Sequence, residues 1–163
     1  MTQNELTSQL LATWRLHNKI VIYLLSQIPK KGLSARPSGS KGRDVTAQFA
    51  HLHSVRIAWL HYHRTGERPK RKRLDTLKPP SRHELMKDLQ TSGKDIELFL
   101  AEACENNARP RLFGRQVVRW VGYLISHESH HRGQIVLALK QSGMKLNEHV
   151  SMTGLWGKWI FGK

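Results

Sequence analysis

Apolar side chains return at helical spacing in four long stretches, each ended by proline or glycine, and this pattern confines the chain to an all-α fold. In the first stretch, about Asn4 to Gln27, the residues Leu10, Leu11, Trp14, Ile20, Val21, Leu24 and Leu25 make one broad stripe. Pro29 and Gly32 stop it, and Leu33 to Gly42 is turn-rich loop. Asp44 can cap the second helix, which runs to roughly His63 through Val45, Phe49, Leu52, Val55, Ile57, Trp59 and Leu60; Gly66 and Pro69 end it. Pro79, Pro80 and Ser81 open the third, with Ser81 and Glu84 spaced as a capping box. It continues to about Cys104 through Leu85, Leu89, Ile96, Leu98 and Leu100, with Gly93 a weak point inside it. After a break from Asn106 to Gly114, the fourth spans about Arg115 to Ser142, and Gly143 suits its C-terminal cap. The tail, Met144 to Lys163, carries Trp156 and Trp159 and is expected to pack back on the helices. The expected architecture is one four-helix bundle domain over residues 1–163.

Charge is the compositional outlier. Lys and Arg number 27 against 12 Asp and Glu, a net +15 that attracts anions: nucleic acid, acidic protein or a carboxylate-bearing small molecule. The densest cluster, Arg68 to Arg73 (RPKRKR), would bind phosphate with steep salt dependence, but no aromatic residue interleaves it and a solvated loop is the commoner meaning. Cys104 stands alone, which excludes an intramolecular disulfide and a Cys-rich zinc site. The opening MTQNELTSQL lacks the features of a secretory signal, and the apolar run Ile20 to Leu25 is too short to span a bilayer. The expectation is a soluble cytoplasmic protein without a membrane partner.

Most of the ten histidines need no special role; His17, His61, His63, His83 and His149 are scattered, as expected of solvated or core-edge residues. The informative group is LISHESHHRGQI on the fourth helix. His127 and His131 lie one turn apart and about 40° apart around the axis, so their imidazoles can converge; His130 lies about 60° to the other side. Alone, this pair is more often a surface pair than a ligand set. Its setting among Val121, Leu124, Ile125, Ile135, Val136 and Leu139 changes the balance, because histidines facing a core need partners and a metal supplies one. A third ligand must come from another helix. The second helix offers His51 and His53, about 200° apart, and its apolar residues do not choose between them. Three neutral imidazoles leave open positions on Zn, Ni, Fe or Mn, as a catalytic site requires. The spacing is not HExxH, which disfavours a metalloprotease.

The segments HLHSVRIAWL from His51 and HESHHRGQI from His127, with the trailing LWGKW from Leu155, resemble the DinB superfamily, including its YfiT-like members. The resemblance implies an up-down-down-up four-helix bundle, a divalent metal held by His51, His127 and His131, and a homodimer. It also implies a choice of chemistry: thiol-dependent S-transferases and isomerases that use a low-molecular-weight thiol, or metal-dependent hydrolases. The strong basic excess is not part of the family pattern and leaves the substrate open.

The favoured function is a metal-dependent transferase or hydrolase, with an anionic small molecule as a possible substrate class. Around the ligands, Gln134 can hydrogen-bond a ligand or substrate. Glu128 can orient a ligand, act as a base or face solvent, and Arg132 is equally an anion clamp or a surface residue. Trp14, His17 and Trp59 are pocket candidates, with core packing the better expectation for each Trp. The competing functions are a nucleic-acid or polyanion binder using Arg68 to Arg73, and a non-catalytic metal-stabilised dimerisation unit. In the latter, Trp120, Trp156 and Trp159 form the interface and His149 completes the metal shell.

Overall fold

The computed structural model describes residues 2–69, 79–105 and 108–162. Four long helices dominate it: α1 (Gln3–Gln27), α2 (Val45–Thr65), α3 (Arg82–Cys104) and α4 (Val117–Gln141). A short helix, α5 (Lys158–Phe161), follows a π-helical segment at His149–Gly157. No described residue lies in a β-strand. None of these helices is long and apolar enough to cross a membrane.

Local chemistry sets the helix ends. Thr2 with Glu5 and Ser81 with Glu84 form reciprocal capping boxes on α1 and α3, and the Asp44 carboxylate accepts from the Ala47 amide to start α2. Gly66 closes α2 with φ 85°, a left-handed conformation that costs glycine little. The fourth helix begins at Val117, two residues later than its sequence suggests. Phe113, Gly114 and Arg115 all take positive φ (61°, 62° and 60°), so helical geometry cannot extend back through them.

Two apolar clusters fill the interior. One joins Ile20, Leu24 and Leu25 to Phe49, Leu52, Leu85, Leu89, Ile135 and Leu139. The other joins Trp14, Leu60, Ile96, Phe99, Leu100, Trp120 and Leu124. Helices α1 and α2 each pack on both α3 and α4. The tail folds onto α1 as expected: the Tyr23 ring lies where a Cβ at Gly154 would be, and Trp159 packs against the first cluster.

Gly93 is the price of a close approach. Trp14 Nε1 donates to the Gly93 carbonyl at 2.8 Å, and the Asn18 amide occupies the space a Cβ would take. Asn18 cannot swing aside freely, because its Oδ1 accepts from Arg56 at 2.8 Å. Gly93→Ala is therefore expected to lower stability, with about 1–3 kcal/mol of overpacking exceeding the roughly 1 kcal/mol of helix propensity gained. Urea denaturation of the variant beside wild type measures the difference.

Candidate metal centre

Each ligand candidate is positioned by the apolar stripe of its own helix. The buried stripe of α2 runs through Val45, Gln48, Phe49, Leu52, Arg56, Leu60 and His63, and His51 sits half-buried beside it. That of α4 runs through Val121, Leu124, Glu128, His131 and Ile135, with His127 half-buried at its edge. Where α2 and α4 meet, one nitrogen from each of His51, His127 and His131 comes within 4.8 Å of the others. Their ring centroids are 4.7 to 5.3 Å apart. His53, the alternative on α2, faces α3, where its Nδ1 donates to the Asp88 carbonyl at 3.0 Å.

The donor set suits a cation. Burial lowers the His131 pKa from 6.5 to about 4, with smaller contributions from His127, His51, His130 and Arg43. Burial, then Arg43 and His127, do the same to His51, again to about 4. His127 is also lowered, by burial first, although Glu128 acts in the opposite direction. All three rings are thus neutral near pH 7, the form that ligates metal. His131 Nδ1 donates to Gln48 Oε1 at 2.8 Å, which fixes its tautomer and leaves Nε2 for a ligand. His127 Nδ1 is buried without a hydrogen-bond partner among the described residues, so this ring of the cluster carries an unmet polar atom.

Aromatic rings flank one side. Tyr123, one turn before His127, stacks on its ring with centroids 5.7 Å apart. Trp59 and Phe113 both pack on Tyr123 and on each other. Phe113 reaches this position from the positive-φ turn, a conformation unusual for a residue with a side chain. Exposed Arg43, just before the α2 cap, contributes positive charge felt by all three histidines.

The remaining candidates fall elsewhere. Glu128 is neither solvent-facing nor free to act as a base: it is 1% exposed, and Arg56 grips it through Nε to Oε1 at 2.7 Å and Nη2 to Oε2 at 2.6 Å. His17, expected at the core edge, is fully buried and donates from Nε2 to Glu128 Oε2 at 2.9 Å. Gln134 bonds to exposed His130 at 2.9 Å rather than to the three-histidine cluster. Arg132 lies over the Trp156 ring and donates to Ser129 at 3.3 Å. Trp14 and Trp120 are wholly buried, so Trp120 is unavailable to an interface; Trp156 is exposed and Trp159 half-buried. His63 is buried against Trp59, Phe99 and Trp120. His149 is exposed and does not join the three-histidine group. In the basic cluster, Arg68 is exposed and residues 70–73 lie outside the described residues.

The DinB family model matches residues 1–159, nearly the whole chain. The chain belongs to the DinB family. A comparison with curated proteins finds no match. In this DinB-family chain the residues that carried the resemblance, His51, His127 and His131, are the ones the folded helices bring together.

Sequence reasoning missed three contributors. Gln48 and Arg56 were legible as polar residues on the apolar stripe of α2, between Val45, Phe49, Leu52 and Leu60. Tyr123 had the spacing, four residues before His127, that puts it on the same face.

Proposed function

We propose that this chain is a metal-dependent enzyme in which His51, His127 and His131 hold one divalent ion, Zn, Ni, Fe or Mn, and that it acts as a thiol-dependent S-transferase or a hydrolase. The observation that carries this reading is the convergence of three neutral imidazole nitrogens within 4.8 Å, from two helices, with no fourth ligand joining the group among the described residues. A divalent ion bound there would lower the pKa of a thiol or water in an open coordination position and so supply a nucleophile at neutral pH. The chain's own residues prepare the site. Gln48 orients His131 through its Nδ1–H, Tyr123 braces the His127 ring, and Arg43 supplies positive charge suited to an anionic substrate.

The same reading includes the up-down-down-up arrangement over 1–163. Its support is the order of the contacts. His53 meets Asp88 and Arg64 meets Glu102, so α2 and α3 advance together. Gln48 meets His131 and His63 meets Trp120, so α2 and α4 advance in opposite senses. Ile28 meets Arg82 and Arg15 meets Glu97, which opposes α1 to α3.

Elemental mass spectrometry on the untagged protein tests the reading: it predicts near one equivalent of a single divalent metal per chain, and a negligible content overturns it. The pH dependence is a second expected result. Protons compete with metal only when the imidazoles protonate, and His51 and His131 do so at about 4 rather than 6.5. With His127 lowered as well, metal affinity is expected to persist to lower pH than solvated imidazoles allow and to be gone once His51 and His131 protonate at about 4. Titration in a series of buffers checks this; loss centred near 6.5 would mean the rings are solvated.

A further inference from the structure

The metal reading leaves unexplained a buried charge cluster that draws on all four long helices. Arg56 of α2 is 0% exposed and Glu128 of α4 is 1% exposed, and two parallel hydrogen bonds join them. The other side of the Arg56 guanidinium donates from Nη1 to Asn18 Oδ1 of α1 at 2.8 Å and to the Leu89 carbonyl of α3 at 3.0 Å. His17 of α1 completes the set on Glu128. A buried ion pair is a poor device for stability, because removing two charges from water costs about as much as their attraction returns. A fork-to-fork pair does fix geometry: two parallel bonds allow neither sliding nor rotation, whereas apolar packing of similar volume tolerates both.

Its location says what that geometry is for. Glu128 directly follows His127, and Arg56 lies five residues, about one and a half turns, beyond His51. The pair thus ties together the two helices that supply the three imidazoles, on one side of them along α2. The Gln48 to His131 hydrogen bond ties the same helices on the other side. A ligand set divided between two helices depends on their relative register, and a slip of about 1.5 Å, one residue's rise, would separate the nitrogens beyond a shared ion.

We propose that the Arg56–Glu128 pair is a positioning clasp: it sets the register of α2 against α4 and so holds His51 at ligating distance from His127 and His131. The proposal rests on the metal reading above, and its test separates the two. Cobalt(II) is titrated into the metal-free full-length chain by calorimetry and visible absorption, below the melting temperature of every variant. The variants are Arg56→Lys, which keeps the charge but loses the fork, and the double substitution Arg56→Met with Glu128→Leu, which fills the space with apolar atoms. Leu100→Ala, in the second apolar cluster, serves as a control that lowers stability while leaving every hydrogen-bonding group of the clasp in place.

The clasp predicts cobalt affinity about 10–100-fold weaker in both clasp variants, with an altered absorption spectrum, and a wild-type affinity and spectrum in Leu100→Ala. If the double variant does not fold, Arg56→Lys carries the same readout. Folded clasp variants that bind cobalt with wild-type affinity and spectrum overturn the proposal, as does an equal loss in the Leu100→Ala control. A wild-type chain that takes up no cobalt overturns the metal reading itself.

Discussion

On the proposed three-histidine site, replacing His131 with Ala is expected to bring bound metal from about one equivalent per chain to near none, and His51→Ala and His127→Ala are expected to do the same. If all three imidazoles ligate as proposed, each removal leaves two of them and a site expected to be too weak to survive gel filtration. His131 is the most telling of the three. It is the most buried, and its Nδ1 is already committed to Gln48, so neither ring flips nor water readily substitute for it. Gln48→Leu should weaken binding by only about 10–100-fold, because it releases the His131 tautomer without deleting the ligand. Elemental analysis after gel filtration gives the content, and circular dichroism confirms that the variants remain folded. Retention of a full equivalent by His131→Ala would place the metal elsewhere.

The parts of this molecule that the sequence states plainly are those governed by residues close together in the chain. The helix starts at Ser81 and Asp44 and the stop at Gly66 depend on bonds spanning three or four residues, and they stand where the sequence puts them. The convergence of His127 and His131 depends on a single helical turn, and is equally plain. The choice of His51 over His53 depends on how α2 is rotated against α3 and α4. Spacing within α2 cannot state that rotation, and family resemblance supplied the choice instead.

Glu128 shows the other kind of limit. Measured from His127 alone, it points about 100° away and reads as solvent-facing. Measured against Val121, Leu124, His131 and Ile135, it lies on the buried stripe itself, just as Arg56 lies on the stripe of Phe49, Leu52 and Leu60. Opposite charges on two buried stripes are a legible pair once both are seen together, because neither can be buried alone. The turn at Phe113 was less accessible. Nothing in RLFGR announces that Phe113 and Arg115, as well as the glycine, take positive φ.

That mutual dependence gives the largest expected effect on stability. Glu128→Ala leaves the Arg56 guanidinium fully buried with no counter-charge, and Arg56→Ala strands the carboxylate beside His17. Either single substitution should cost about 3–5 kcal/mol, read as a lowered urea midpoint in the metal-free protein. The double substitution Arg56→Met with Glu128→Leu should cost much less than the sum, because no charge is left unpaired. The pH profile carries the same signature. Burial alone would raise the Glu128 pKa, but the charge and hydrogen bonds of Arg56, with a further hydrogen bond from His17, outweigh it and bring the value from 4.5 down to about 2. Because the folded-state pKa is the lower one, the carboxylate's contribution is fully present above about 4.5 and is lost as pH falls toward about 2. Wild type should lose stability across that window, and the double variant should lose less. Additive single and double costs, with parallel acid profiles, would mean that the two side chains do not act as a pair.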